Sequence, residues 1–175
     1  MNILWCITGG GHMLEESCRE IERLSGGNYV TVALSKAGRE VVGMYGHRRR
    51  LRKAAKKVVR EEEQGCSSPM VCNLGVFDLV VVSPCTANTA AKIALGIADS
   101  LVSNIVAQRL KAGKSVVLVP TDREREVETT IPSGRRVRLR CRKVDLENTK
   151  KLGKMRNVRV VGRPDKIRGI MKDVD

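Results

Sequence analysis

Aromatic side chains are scarce in this sequence, which has one Trp, one Phe and two Tyr among its 175 residues. Proteins that bind single-stranded nucleic acid usually combine basic residues with aromatic rings on which the bases stack. The formal net charge of +14 therefore does not by itself favour a nucleic-acid partner. An acidic protein partner, an anionic substrate or a charged surface adapted to heat accounts for it as well.

Cysteine pairs and groupings of catalytic side chains are also missing. The six cysteines form no C-x-x-C pair, so their spacing predicts neither a zinc site nor an iron–sulfur site, and we expect free thiols. The two histidines, His12 and His47, complete no Ser–His–Asp or Cys–His arrangement, and no carboxylates are paired. The sequence thus identifies no catalytic residue, as expected where a cofactor supplies the chemistry.

Long hydrophobic runs are the third absence. No run approaches the length of a membrane span, and Asn2–Thr8 leads directly into glycines with no basic leader or cleavage site. We therefore expect a cytoplasmic protein with no membrane partner. The length suits a single domain over residues 1–175.

Short apolar runs alternate with amphipathic segments along the chain. We predict strands at Asn2–Thr8, Tyr29–Leu34, Leu79–Val82, Ser115–Val119 and Val158–Val161, and helices at Met13–Leu24, Ser100–Leu110, Asp145–Met155 and Pro164–Lys172. Val127–Ile131 and Val137–Cys141 flank a turn and predict a hairpin. The fold class is α/β: a three-layer, doubly wound, Rossmann- or flavodoxin-like parallel sheet with a C-terminal β-hairpin.

The stretch from Ser83 to Leu101 combines a strand end, a turn and a helix start. Pro84 is expected to stop the strand, Thr86 to cap the next helix, and Ala90, Ala91, Ala94 and Leu95 to form its small apolar face. Helix-start amides and the Asn88 side chain can bond a flat polar ring or a phosphate. The pattern favours a flavin site, and an ordinary strand-to-helix turn is the alternative.

Two further turns are predicted at the same edge of the sheet. Thr8–His12, T-G-G-G-H, allows close backbone approach to a phosphate, and without G-x-G-x-x-G it favours a mononucleotide over a dinucleotide. His12 either bonds the ligand or faces solvent. Ser35 and Lys36 follow the second strand, where they bind the phosphate or ribityl chain, or Ser35 simply caps a helix.

Basic residues are densest in one segment, where we predict one long helix ending at Glu61–Glu63 and starting near His47. This surface is either solvated or a docking patch for an acidic electron donor. The hairpin carries a second group of basic residues, the basic ribbon. It is either solvated, a site for an anionic partner, or part of a contact between subunits. The helix carries Arg48, Arg49, Arg50, Arg52, Lys53, Lys56, Lys57 and Arg60, and the ribbon carries Arg136, Arg138, Arg140 and Arg142.

Several motifs resemble one known superfamily. PCTANT at 84–89 is similar to the PASANT motif of the homo-oligomeric flavin-containing cysteine decarboxylases, and GIADSLVSN at 96–104 resembles the segment that follows it there. ITGGGHMLEES at 7–17, LSKAGREVVGMYG at 34–46 and IPSGRRVRLRCRKVDLEN at 131–148 extend the likeness. Within the superfamily, the sequence most resembles the archaeoflavoproteins and the dihydromethanopterin reductases.

The resemblance implies an FMN oxidoreductase that passes electrons from a ferredoxin-like donor to an acceptor such as a pterin. It implies a homo-oligomer built from trimers, with Asp99 accepting a hydrogen bond from the flavin or an adjacent subunit. Cys85 lies near the ring or is only a small residue that fits the turn. The predicted cofactor-binding residues are Thr8, Gly9, Gly10, Gly11, His12, Ser35, Lys36, Pro84, Cys85, Thr86, Ala87, Asn88, Ala98, Asp99 and Ser100.

The sequence departs from the decarboxylases that name the superfamily. No histidine follows His47, so the base that precedes the PASANT strand in those enzymes is missing. PTDREREVETT at 120–130 stands where they carry P-x-M-N-x-x-M-W. Cysteine decarboxylation is therefore disfavoured. A non-catalytic basic protein that binds nucleic acid or an acidic protein is the alternative function. We also expect the loop Gly65–Phe77 to lie over the site.

Overall fold

The computed structural model describes residues 1–67 and 69–171. Most of this part of the chain alternates between strands and helices. The strands are β1 (Asn2–Ile7), β2 (Tyr29–Leu34), β3 (Lys57–Arg60), β4 (Leu79–Cys85), β5 (Val116–Pro120), β6 (Glu126–Thr130), β7 (Arg136–Arg140) and β8 (Val158–Val160). The helices are α1 (Leu14–Ser25), α2 (Lys36–Met44), α3 (Arg48–Ala54), α4 (Glu61–Gln64), α5 (Pro69–Cys72), α6 (Ala87–Leu95), α7 (Leu101–Lys111), α8 (Lys143–Leu152) and α9 (Ile167–Met171).

Six strands form one parallel sheet in the order β3-β2-β1-β4-β5-β8, and β6 and β7 form a separate antiparallel hairpin. The predicted fold class is confirmed. Parallel neighbours require helical crossovers, which cover both faces of the sheet. None of the helices in the described ranges is long and apolar enough to cross a membrane.

The core lies on both faces of this sheet because successive side chains of a strand point to opposite sides. In β1, Ile3, Trp5 and Ile7 belong to one apolar cluster, whereas Leu4 and Cys6 belong to the other. The first cluster packs against α1 and against α2, α3 and α9. In α1, apolar residues recur at helical spacing, which predicts one buried face, and all four are buried: Leu14, Cys18, Ile21 and Leu24. The second cluster packs against α6, α7 and α8, which completes the three layers.

The basic segment is not the single helix that we predicted. α3 ends at Ala54, and the chain then enters β3, which pairs in parallel with β2. Val59 of β3 is buried in the core while Lys57 is exposed. Burial of this strand against β2 outweighs the helix propensity of the surrounding Lys and Arg residues. His47 does stand at the start of α3, as predicted.

Pro84 does not stop its strand, contrary to our expectation. β4 runs through Pro84 to Cys85, and the Ser83–Pro84 peptide is cis. The register with β5 shifts between Val82 and Cys85. Such an irregularity accommodates a proline, which has no N–H to give to the sheet.

The segment from Gly65 to Phe77 does not lie over the carboxyl ends of the strands. Asn104 of α7 donates to the Cys66 carbonyl at 2.8 Å, and Arg109 at the other end of α7 donates to the Phe77 carbonyl at 2.8 Å. The segment therefore runs along α7 toward the amino ends, with α5 and a 3-10 turn at Leu74–Val76. Ser68 lies outside the described residues.

The C-terminal elements follow the prediction with shifted ends. The hairpin pairs Glu126–Thr130 with Arg136–Arg140. The last predicted helix begins as a 3-10 turn at Pro164–Lys166 and continues as α9, while Lys172 lies outside the described residues.

Candidate functional site

The strand order reverses between β1 and β4, and this is where the candidate site lies. From these neighbouring strands the chain enters α1 on one face of the sheet and α6 on the other. In open α/β sheets such a reversal leaves a crevice at the carboxyl ends of the strands, where ligands bind. The two loops that leave β1 and β4 are the glycine turn and the Pro84–Asn88 turn predicted from the sequence.

Thr8 joins these two loops. Its hydroxyl donates to the Pro84 carbonyl at 2.7 Å and accepts from the Thr86 amide at 3.0 Å. The Thr8 amide also donates to the Pro84 carbonyl, at 3.3 Å. Because the Thr8 side chain is only 1% exposed and both hydroxyl functions are used, it holds the loops in register with each other.

A second buried network lies directly below. Trp5 Nε1 donates to the Ser83 carbonyl at 2.8 Å, and the hydroxyls of Ser17 and Ser83 are 2.8 Å apart. These bonds connect β1, β4 and the first turns of α1. The indole and both hydroxyls are buried, so each bond also avoids the cost of an unsatisfied polar group.

The glycines of the first loop permit close packing. A Cβ on Gly10 would lie 3.2 Å from Thr121 Cγ2, 3.3 Å from Thr86 Cγ2 and 3.4 Å from Pro84 Cβ. A Cβ on Gly9 would lie 2.7 Å from the Ala37 side chain at the start of α2. The loop is thus packed between the ends of β4 and β5 on one side and α2 on the other.

Backbone amides in both loops remain available. Within the described ranges, the amides of Gly11, His12 and Met13 make no hydrogen bond, nor do those of Ala87 and Asn88 at the start of α6. Met13 has a left-handed backbone (φ 64°) and gives α1 no side-chain cap. Two helix N-termini with unpaired amides therefore flank the crevice, and their partial positive charge attracts an anion.

The predicted Thr86 cap is confirmed, and Asn88 lies exposed in the first turn of α6. The Thr86 hydroxyl caps α6 by accepting from the Thr89 amide at 3.4 Å. Asn88 is exposed and its side-chain amide makes no hydrogen bond within the described part of the chain. The predicted small face of α6 is wrong at Leu95, which is 62% exposed because the helix turns that position away from the buried Ala90 and Ala94.

Tyr45, directly after α2, lies between the hairpin and the glycine loop. The Tyr45 hydroxyl donates to the Thr130 carbonyl at 2.9 Å, and a Cβ on Gly11 would lie 2.1 Å from that hydroxyl. His12 stands beside it in the same loop. Partial burial lowers the pKa of His12, although Glu16 and Asp122 act in the opposite direction.

The predicted Ser35–Lys36 group is held by internal contacts. The Ser35 hydroxyl caps α2 by accepting from the Gly38 amide at 3.0 Å. The Lys36 amide donates to Glu61 Oε2 at 2.9 Å, and Glu61 Oε1 accepts from the Leu101 amide at 2.7 Å. One carboxylate therefore satisfies the N-termini of α2 and α7 together. The Lys36 side chain itself is exposed.

The third predicted group, Ala98–Ser100, lies between α6 and α7. Asp99 pairs with Lys92 Nζ at 2.8 Å, and this bond holds the pKa of the exposed carboxyl below its usual range. Ser100 caps α7 through the Ser103 amide at 3.2 Å. Ala98 is exposed. The structure thus brings the glycine turn and the Pro84–Asn88 turn together. Ala98 and Asp99 are exposed at the junction of α6 and α7, and Glu61 connects the adjacent Leu101 amide to the start of α2.

Sequence reasoning missed Thr121 and Asp122, which follow β5. The Thr121 amide donates to the Cys85 carbonyl at 2.9 Å, and its hydroxyl donates to Asp122 Oδ2 at 2.5 Å. Asp122 also raises the pKa of the Cys141 thiol, after the larger effect of burial, to about 12. The signal was available: polar residues directly after a third buried strand lie at the same edge.

The buried thiols are not activated. Burial raises the pKa of Cys85 to about 12, with a further contribution from Asp122. At neutral pH this thiol is protonated and therefore a poor nucleophile. The cysteines whose side chains are described are free, as predicted: Cys6, Cys18, Cys66, Cys85 and Cys141.

The fold and these loops together define a doubly wound α/β protein with backbone amides that are unpaired among the described residues, at the point where its strand order reverses. Comparison with known proteins identifies the family: the profile described as Flavoprotein matches residues 1–175. The chain belongs to the Flavoprotein family, which confirms the superfamily that the motifs indicated.

Two curated relatives are named dihydromethanopterin reductase (acceptor). The one from Methanocaldococcus jannaschii is 41% identical over 140 residues, which are 74% of this chain and 57% of that protein. The one from Methanosarcina mazei is 40% identical over 140 residues, 74% of this chain and 59% of that protein. This chain therefore spans less than two thirds of the length of these relatives.

The fold is also similar to a solved structure. Burkholderia xenovorans DmrB in complex with FMN, described as a cubic protein cage for redox transfer, superposes with a TM-score of 0.83. It is 29% identical, and the match covers 98% of this chain and 93% of that one. FMN is the cofactor expected from the sequence motifs.

Proposed function

We propose that this chain is an FMN-dependent reductase, with residues 1–175 forming one FMN-binding domain. The observation that carries the proposal is the pair of loops joined by Thr8, whose unpaired amides at Gly11–Met13 and Ala87–Asn88 flank one crevice. The similarity to DmrB, which was solved with FMN, supports the choice of cofactor.

The residues at the crevice fit FMN. A phosphate needs several donors and a positive potential, and the amides after β1 together with the N-terminus of α1 supply both. A flavin ring needs donors along its polar edge and close backbone approach. The exposed Asn88 and the unpaired Ala87 amide meet that need. The acidic residue that binds the ribose in dinucleotide sites is missing from the end of β2, where Ser35 stands instead.

FMN, when bound, supplies the capacity to accept and donate electrons in one or two steps. The chain's own residues hold and shield it. Thr8 and the Trp5–Ser83–Ser17 network fix the loops, so the donors are in place before the ligand arrives. Tyr45 and the hairpin cover the glycine loop and limit the access of water. His12, in the same loop, can bond the cofactor through its imidazole.

The substrates follow from the relatives' names and the charge of the chain. We infer a pterin acceptor because two relatives are named dihydromethanopterin reductases. The basic surface suits both an anionic acceptor and an acidic, ferredoxin-like electron donor.

We also infer a homo-oligomer built from trimers. Leu95 and Ile97 are 62% and 44% exposed beside Ala98 and Asp99, which leaves an apolar corner for a subunit contact. DmrB forms a cubic cage, which supports assembly of this kind. In such an assembly Asp99 is placed to accept a hydrogen bond from a neighbouring subunit or its flavin.

The test is the visible absorption spectrum of the purified protein with the released chromophore identified. We expect bound FMN that bleaches on anaerobic addition of reduced ferredoxin and is reoxidised by dihydromethanopterin. A protein that remains colourless after reconstitution, and that binds nucleic acid in a salt-dependent way, would refute the reductase and favour the basic binding protein.

A further inference from the structure

A pocket lined by arginines lies at the carboxyl ends of β2 and β3, beside the candidate flavin site. Its floor is apolar and includes Leu34, Val42 and Leu51, which are at most 4% exposed. Four arginines also line the pocket. They are Arg39 of α2, Arg48 and Arg52 of α3, and Arg60 of β3.

These arginines are only partly neutralised. Arg39 Nη1 lies 3.2 Å from Glu62 Oε1, and Arg60 pairs with Glu63. Arg48 and Arg52 form no ion pair within the part of the chain that the structure describes. Two exposed arginines with no counter-charge among the described residues therefore line the pocket and give its mouth a positive potential.

The chain makes room for this arrangement. A Cβ on Gly43 would lie 2.3 Å from Arg48 Nη2, so the guanidinium folds back across the last turn of α2 because glycine stands there. Arg50, between Arg48 and Arg52, is occupied elsewhere by Glu22 at 2.6 Å and Glu15 at 2.8 Å. The helix thus separates its structural arginine from the pair that lines the pocket.

We propose that this pocket binds a phosphate or carboxylate carried on an apolar stem. Two guanidinium groups suit bidentate recognition of such anions, and Val58, the half-buried apolar residue of the lining, offers a surface for the stem. The pocket begins at Leu34, directly before Ser35, and therefore opens at the same edge of the sheet as the glycine turn. That the pocket binds an anion does not depend on the proposed reductase function. That the anion is part of the electron acceptor rests on that function.

The test measures binding of phenyl phosphate to the FMN-loaded protein by calorimetry. We expect Arg48→Gln/Arg52→Gln to raise the Kd at least tenfold. The matched control is Arg49→Gln/Lys53→Gln, which removes the same charge from the same helix. Because Arg49 and Lys53 line a different surface, with Glu22 and Ala54, this control should change the Kd less than twofold. All four side chains are exposed, so both variants should fold.

Three outcomes would overturn the proposal. In the first, the unsubstituted protein fails to bind phenyl phosphate at millimolar concentration. In the second, the two double variants lose the same affinity for it. In the third outcome, Arg48→Gln/Arg52→Gln loses FMN rather than phenyl phosphate. Equal losses would mean general attraction to a basic surface, and loss of FMN would assign the pocket to the cofactor. Failure of the reductase is distinguishable, because dihydromethanopterin turnover would then be absent while phenyl phosphate binding still depended on Arg48 and Arg52.

Discussion

Replacement of Thr8 by valine removes the hydroxyl that joins the two loops while keeping the shape of the side chain. The variant loses the bond to the Pro84 carbonyl at 2.7 Å and leaves the Thr86 amide, bonded at 3.0 Å in the native chain, without an acceptor. A neutral hydrogen bond contributes about 1 kcal/mol, and an unpaired buried group costs about 1–3 kcal/mol. We therefore expect Thr8→Val to lower the free energy of unfolding by about 2–4 kcal/mol.

The assay is urea unfolding of the FMN-free protein, with a parallel melting curve at equal protein concentration. For a chain of this size, about 3 kcal/mol corresponds to a fall in Tm of about 6–12 °C. Thr8→Ser is the control, because it keeps the hydroxyl and loses one methyl group, worth about 1 kcal/mol or less. If Thr8→Val proved as stable as Thr8→Ser, the hydroxyl would not join the loops and the site would not be preorganised as described.

Three further predictions concern the same edge of the sheet. Asn88→Asp should weaken FMN retention at least tenfold in fluorescence titration, because the carboxylate cannot donate and adds negative charge; unchanged affinity would remove Asn88 from the site. Glu61→Ala should lower the free energy of unfolding by about 2 kcal/mol, because it removes the caps of two helices. The control Glu62→Ala breaks one surface ion pair and should lower it by less than about 1 kcal/mol. Equal effects of the two substitutions in urea unfolding would contradict the capping role of Glu61. Burial lowers the pKa of both histidines, His12 and His47, so the unfolded chain binds protons that the folded chain does not. The free energy of unfolding should therefore fall as the pH drops below 6.5. A variant with both histidines replaced by Gln should lose this pH dependence when urea midpoints are measured between about pH 5 and 8.

Local patterns in the sequence were sufficient for most of the sheet. Tyr29–Leu34 was predicted residue for residue, and the buried face of α1 followed from apolar residues at helical spacing. The cap at Thr86 was also predicted correctly, because a Ser or Thr directly before a helix accepts from the amides of its first turn. These predictions were correct because a strand, a buried helix face and a helix cap each depend on residues that are close together in the sequence.

The errors fall where a distant contact outweighs a local preference. Lys57–Arg60 forms a strand because β2 offers it a partner and a core for Val59, whereas composition alone favoured a helix. β4 continues past Pro84 because a register shift and bonds from Thr8 satisfy the chain there. The segment before β4 lies along α7 because Arg109 binds its carbonyls. None of these partners is near in sequence.

The sequence by itself determined the order of strands and helices outside the basic segment that contains β3, the positions of the turns around the site and the resemblance that identified the family. Those properties depend on periodicity and on short motifs. Only the tertiary structure decided which turns meet: it joined the loops after β1 and β4 through Thr8, added Thr121 and Asp122, and placed Arg48 and Arg52 around one pocket. Strand order brings together residues tens of positions apart, and no local pattern encodes that proximity.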